Sequence, residues 1–305
     1  MIKFPIDTEK VTIEALKDEL LDSMEVSVDV LRLDKIHLVV SGNKLYKLYY
    51  YLEDAIAQNK MTITFGGAYS NHLAATAKAC NELNIPCIGM VRGEEPPNLS
   101  HTLQFCKENN MQLVFLSRDE FTKLKNEEVI QRFEVQYGPH ILIPEGGYGK
   151  KGVEGASFIS SYYDLHAYTH ICCAVGTGTT IAGLIETSNF KLQTSNFLGF
   201  SALKGLNDFP DRIKYLLGEE QGKCQFISDY HFGGYAKKTN DLIDFMNAFY
   251  SKHHIPTDFV YTGKMFYGVM NLINKGYFLQ GSKILCIHTG GLQGNLSLEN
   301  GTLIF

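Results

Sequence analysis

Five short segments hold residues whose types and spacing could do chemistry, and the run VGTGTT, Val175–Thr180, is the most pointed of them. It follows the apolar run HICCAV directly and opens the helical pattern TIAGLIET. Backbone N–H groups left free at a helix start, reached by a glycine-permitted turn and flanked by the hydroxyls of Thr177, Thr179 and Thr180, make a cup for a phosphate. A dinucleotide fingerprint would need Gly or Ala where Ile181 stands and an acidic residue closing the next strand, and NFLGFSA supplies none. A Walker loop would need a lysine after the glycines. A monophosphate is therefore the leading ligand class, with a plain tight turn as the alternative.

The other four segments carry amines, hydroxyls and amides. In SGNKLYKL, Ser41–Leu48, a Gly-Asn turn precedes a helix with Lys44 in its first turn and Lys47 three residues on. The positive end of a helix dipole disfavours an ammonium and makes Lys44 a better amine nucleophile; an ordinary solvated lysine is the alternative. In FGGAYSNHLAATAKAC, a glycine pair ends a strand and Ser70, Asn71 and His72 fall at the next helix start. Ser70 would cap that helix, and the cup of donors around the trio suits a carboxylate. VYTGK, Val260–Lys264, and IHTGG, Ile287–Gly291, complete the set, with Thr289 at the carboxyl end of a strand-like run, where His288 and Thr289 could also be ordinary turn residues.

These segments need a scaffold, and the composition bounds it. A chain of 305 residues, 45% hydrophobic and 20% charged, can bury a large core and is expected to form about two domains. No apolar stretch is long enough for a membrane span. The opening MIKFPIDTEK lacks the order of a signal peptide, so a cytoplasmic protein is expected. Twenty-eight Lys and Arg against 33 Asp and Glu leave a net charge of -5, which argues against a nucleic-acid partner. The seven cysteines include no CxxC pair, so neither a disulfide framework nor a metal site is expected, and the thiols act as small hydrophobes.

Strand-like runs alternate with helical patterns along most of the chain, which predicts parallel sheets covered by helices. TITFGG, PCIGMV, QLVFL and HILIP lie between residues 58 and 148 and define a small α/β domain. HICCAV, NFLGFSA, QFISD and ILCIHTGG belong to a second, larger unit formed by residues 149–305 and joined by residues 1–57. The leading segment holds an amphipathic stretch, VTIEALKDELL, then VSVDVLRLD, expected to form a hairpin with IHLVVS. Ligands bind at the carboxyl ends of strands in open α/β sheets, and two such sheets face to face make a cleft.

Taken in order, GNK opening a helix, GGxxSN after a strand, GTGTT, VYTGK and HTGG resemble the pyridoxal-phosphate family of 1-aminocyclopropane-1-carboxylate deaminases and D-cysteine desulfhydrases. The resemblance runs from about Val28 to the C-terminus, and the ordered set is far more specific than any one motif. It implies the tryptophan-synthase β type of fold, pyridoxal-phosphate fold type II, with two doubly wound α/β domains and the cofactor in the cleft between them. The family's GGNKxRKLE becomes SGNKLYKLY, with departures at Ser41, Tyr46 and Tyr49. This implies that Lys44 is the Schiff-base lysine and Lys47 a supporting residue. It further implies that Ser70 contacts the substrate as a nucleophile and that Asn71 bonds the cofactor's ring hydroxyl and meets the substrate. His72, where Gln is usual, joins them at the substrate. Gly176, Thr177, Gly178, Thr179 and Thr180 match the phosphate loop. Tyr261 matches an active-site tyrosine, and Tyr235, in HFGGYAK, a second one.

Deaminases that open the cyclopropane ring resemble one another in having Glu and Leu where this chain has Thr262 and Thr289. A carboxylate beside the pyridine nitrogen keeps it protonated, whereas a hydroxyl bonds it without a full charge. The resemblance thus implies α,β-elimination from a small amino acid, with D-cysteine giving pyruvate, ammonia and sulfide. Lys44 would be the general base and Tyr261 would assist proton transfer or the departing thiolate. The alternatives are a 1-aminocyclopropane-1-carboxylate deaminase and a regulatory protein that binds the cofactor without turnover. A homodimer is expected from the same resemblance.

Overall fold

Apolar runs too short for a helix and buried on both faces form the central strands, as parallel sheets require. HICCAV is buried at five of its six positions. The computed structural model describes residues 8–37, 40–123, 127–189, 196–218 and 224–305. Most of the opening MIKFPIDTEK, and part of the run IHLVVS, therefore lie outside the described residues.

In chain order the elements are β1 Ile13–Ala15, α1 Glu19–Ser23, β2 Ser27–Arg32, α2 Asn43–Ala57, β3 Met61–Gly67, α3 Asn71–Glu82, β4 Cys87–Arg92, α4 His101–Glu108 and β5 Met111–Leu116. There follow α5 Arg118–Thr122, α6 Glu127–Tyr137, β6 His140–Ile143, α7 Lys150–Ser157, β7 His170–Val175, α8 Thr179–Asn189 and β8 Asn196–Ser201. The chain ends with α9 Phe209–Leu217, β9 Cys224–Ile227, α10 Asn240–His253, α11 Thr262–Asn274 and β10 Lys283–His288.

The strands form two sheets, ordered β1-β2-β10-β7-β8-β9 and β5-β4-β3-β6. Every pairing is parallel except that of β1 with β2. Helices cover both faces of the six-stranded sheet. Ile171, Cys173, Leu285 and Ile287 point into the cluster shared with α2, α7 and α8. Cys172, Cys286 and Ile284 point into the opposite one, against Met265, Phe266 and Val269 of α11. All seven cysteines are free thiols and six are buried, as small hydrophobes are. Among the described residues no helix is long and apolar enough to cross a membrane.

Two expectations for the leading segment fail. VTIEALKDELL is not one amphipathic unit: Ile13–Ala15 pairs with β2, and Asp18 caps only the short α1 through the Leu20 N–H. Among the described residues VSVDVLRLD makes no hairpin with IHLVVS, because the two edges of β2 are taken by β1 and β10.

The position of α2 depends on its entry. Gly42 has φ +64, and a Cβ there would lie 1.8 Å from the carbonyl oxygen of Thr289. The Asn43 N–H donates to that same oxygen at 3.3 Å. Further along, α2 lies against α7 so closely that a Cβ at Gly155 would meet the Tyr46 carbonyl at 1.9 Å. Gly42→Ala should therefore cost about 1–3 kcal/mol more than Gly301→Ala, since Gly301 shares a positive φ of +82 but has open space where the methyl would go. Urea denaturation of the two variants measures the difference.

Candidate active site

The carboxyl ends of β3, β7 and β10 open onto one cleft of about 800 Å³. Four helices, α2, α3, α8 and α11, begin at its wall. Their positive dipole ends favour an anion there. The side chains agree: Lys44, Lys47, Arg92, Arg212 and Lys238 line the cleft against a single carboxylate, Glu145.

The segment expected to form a phosphate cup lies where β7 passes into α8. Gly178 has φ +89, which allows the sharp turn. The Thr177 and Thr179 hydroxyls lie 3.0 Å apart, and Asn43 donates from Nδ2 to the Thr180 hydroxyl oxygen at 2.7 Å. Gly176, Thr177, Gly178 and Thr180 line the cleft, whereas Thr179 is fully buried behind them. Thr179 can thus orient Thr177 without reaching a ligand itself.

Lys44 stands in the first turn of α2, with Nζ donating to Asn43 Oδ1 at 2.9 Å and lying 5.9 Å from the centre of the Tyr261 ring. Burial pulls its amine down to about 8, against the opposing pull of Asp258. Lys47 is buried one turn on, and burial followed by repulsion from Lys44 holds its amine well below the ordinary lysine range. A dianion in the cup would supply the countercharge.

Across the cleft, Ser70 caps α3 by accepting the Leu73 N–H at 3.3 Å, which leaves its own hydroxyl proton to donate. Asn71 donates from Nδ2 to the Gly291 carbonyl at 3.3 Å. Its Oδ1 is buried and accepts no hydrogen bond from the described residues. Orphaned buried acceptors are rare, and this one fits a ligand hydroxyl.

His72 has its hydrogen-bond direction set by a neighbour. The single proton of the Thr64 hydroxyl goes to the Ile143 carbonyl at 2.9 Å, so Thr64 must accept from His72 Nε2 at 2.8 Å. Nδ1 is then a bare acceptor, buried and without a partner among the described residues. Burial, followed by repulsion from Lys47 and Lys44, holds the imidazole well below its usual range and neutral. His72 therefore lines the cleft but offers a carboxylate no proton from Nδ1.

Tyr261, at the start of α11, and Tyr235 both line the cleft, their rings 6.0 Å apart and nearly edge to face. Burial, followed by the neighbouring Tyr235 and Asp258, pushes the Tyr261 phenol well above its usual range, so it holds its proton. Thr289 also lines the cleft.

Thr262 corrects the expectation that it bonds the cofactor's ring. It is fully buried, donates its one hydroxyl proton to Asp258 Oδ2 at 2.6 Å and accepts from the Asp258 N–H at 2.9 Å. Asp258, which motif reading missed, also accepts the N–H groups of Val260, Tyr261 and Thr262. An Asp three residues before a helix N-cap was the available signal. Asn43 and Thr64 were missed as well.

Comparison with known proteins points in one direction. The profile of the pyridoxal-phosphate dependent enzyme family matches residues 30–290. The bifunctional D-cysteine desulfhydrase/1-aminocyclopropane-1-carboxylate deaminase of Arabidopsis thaliana is 30% identical over 279 residues, covering 84% of this chain and 70% of its own. The D-cysteine desulfhydrase of Klebsiella pneumoniae is 28% identical over 295 residues, 89% of each chain. A crystal structure of an ACC deaminase homologue superimposes with a TM-score of 0.79 at 28% identity, covering 94% of this chain and 90% of that one. A threonine deaminase of Solanum lycopersicum, 15% identical with a TM-score of 0.65, shares the fold.

Thr177→Ala removes a hydroxyl at the cup and should weaken pyridoxal phosphate binding by about 1.5–3 kcal/mol, with the melting temperature of the cofactor-free protein unchanged. Fluorescence titration measures this; an unchanged affinity would place the phosphate elsewhere.

Proposed function

The chain belongs to the pyridoxal-phosphate dependent enzymes, in the family of 1-aminocyclopropane-1-carboxylate deaminases and D-cysteine desulfhydrases, and from that premise we propose that it eliminates the β-substituent of a small amino acid, with D-cysteine as the favoured substrate. The residues fit the cofactor. The cup at Gly176–Thr180 would take its phosphate, the orphaned Asn71 Oδ1 would accept its ring hydroxyl, and Lys44 would hold it covalently. In this reading residues 58–148 form the smaller domain and residues 1–57 with 149–305 the larger, a division supported by the two sheets.

The observation that carries the choice of reaction is the hydrogen bonding of Asp258. Its oxygens take three backbone N–H groups and the Thr262 hydroxyl, so this carboxylate is committed to the loop, and Thr289 is left at the cleft as a neutral group to meet the ring. When bound, the cofactor supplies an electron sink for the pair left on the substrate's α-carbon. A ring bonded only by a neutral hydroxyl is a weaker sink, sufficient where a thiolate can leave from the β-carbon.

The chain's own residues then divide the work. Lys44, its amine lowered to about 8, would give up the cofactor to the substrate's own amine and, as the displaced free amine, take the α-proton at Nζ. Ser70 donates its hydroxyl proton to the substrate carboxylate, aided by the N–H groups that open α3. Tyr261 keeps a proton on its phenol oxygen for the departing thiolate. Asn71 orients the ring, and Tyr235 borders the substrate end of the cleft. With one water consumed in hydrolysing the enamine left by elimination, the products are pyruvate, ammonia and sulfide. Cyclopropane ring opening is the second reading, favoured by the Arabidopsis relative whose name joins both activities.

Two experiments test this reading. Borohydride should fix pyridoxal phosphate to Lys44 and to nothing in Lys44→Ala; a label on Lys47 would overturn the assignment. Because burial lowers the Lys44 amine from 10.5 to about 8, capture should be slow at pH 6, rise about tenfold per unit toward pH 8 and level off above it. A profile still climbing at pH 10 would show an ordinary lysine. Second, keto-acid release at saturation should be faster from D-cysteine than from 1-aminocyclopropane-1-carboxylate, and Thr289→Leu should lower that ratio. A wild-type preference for the cyclopropane substrate would favour the second reading.

A further inference from the structure

Lys264 lies one turn into α11 from Tyr261 and is 1% exposed. Among the described residues its ammonium makes no ion pair. It donates instead to two main-chain carbonyls, Gly234 at 2.7 Å and Ala202 at 3.5 Å. Burial pulls its amine down to about 8, with Asp258 opposing. A methionine would fill the same volume without this desolvation, so the position is not explained by packing alone.

The Gly234 carbonyl belongs to a loop that needs holding. Phe232, Gly233, Gly234 and Ala236 have φ of 49, 91, 116 and 51, a left-handed path that is unfavourable for Phe and Ala. Tyr235 sits within this path and is 44% exposed. Its ring nevertheless meets the Tyr261 ring at 6.0 Å. Tyr261 and Lys264, three residues apart, share one side of the start of α11. The helix thus touches the loop twice, through an aromatic edge at the cleft and through an ammonium behind it.

We propose that Lys264 is a positioning residue: by bonding the Gly234 carbonyl from within the core, it holds Tyr235 against Tyr261 and so sets the width of the cleft where the substrate's β-substituent lies. Its effect on turnover rests on the reading of the cleft as an amino-acid site, whereas its effect on the loop does not.

The test uses the holoenzyme and the absence of tryptophan from the chain. Tyr235→Trp introduces a single tryptophan reporter, and its acrylamide quenching is compared with and without Lys264→Met. Loss of the clamp should raise the quenching constant at least threefold and shift the emission to the red, while Lys264→Gln, which keeps one donor, should fall between. With Tyr235 restored, Lys264→Met should raise the KM for D-cysteine about tenfold with kcat changed less than threefold. In a Tyr235→Ala background the same substitution should change KM less than twofold, because the ring it positions is gone. Unchanged quenching, an equal KM penalty in both backgrounds, or failure of both Lys264 variants to fold would overturn the proposal. If no amino acid is turned over, the reading of the cleft fails and the quenching ratio still decides the role of Lys264.

Discussion

The whole arrangement depends on a backbone-to-backbone contact too tight for any side chain: Gly42 and Asn43, at the entry to α2, against Thr289 and Gly290, at the exit from β10. One hydrogen bond, Asn43 N–H to the Thr289 carbonyl, fixes the height of α2 above the sheet. The Asn43 side chain makes the second tie, to Thr180 at the start of α8. A single dipeptide therefore sets the nucleophilic lysine, the phosphate cup and the TGG turn relative to one another. Lys44 has little freedom to leave this place, since its own amine is also bonded to Asn43.

Around that contact the electrostatics are deliberately one-sided. Four helix starts and five cationic side chains face a cleft with one carboxylate. Burial depresses both amines, and repulsion from Lys44 depresses that of Lys47 further. Such a cleft favours an anionic ligand, which would relieve the repulsion felt at Lys47. Any ligand that supplies the countercharge also stabilises the fold by mass action.

Much of this was legible in the sequence because parallel strands buried on both faces are continuous apolar runs, and the glycines and hydroxyls that end them mark the site. Lys44, Ser70, Asn71, Thr177, Tyr261 and Thr289 all reach one cleft from segments far apart in the chain. What was hidden depended on partners that no spacing reveals. VTIEALKDELL has helical periodicity, yet Ile13–Ala15 became a strand because an edge of β2 was open to it. Thr262 sits in a motif beside a catalytic candidate, but a buried Asp four residues earlier captured its hydroxyl. The donor and acceptor sides of His72 were decided by where the Thr64 proton goes, a question of three-dimensional bonding.

The Asp258 loop shows how a carboxylate can shape chemistry without touching the reacting atoms. By accepting three successive N–H groups it bends the chain so that Tyr261, at φ -125 and ψ -71, points into the cleft while Thr262 turns inward. The same bend starts α11, which carries Lys264 to the back of the Tyr235 loop. Asp258 also lies close enough to oppose the depression of the Lys44 amine, so it keeps that lysine near 8 when burial alone would take it lower. Were its charge released from the loop, Tyr261 would lose its anchor and α11 its start. The same hydrogen bonding keeps the Asp258 carboxylate out of the lining of the cleft, where Thr289 presents a neutral side chain.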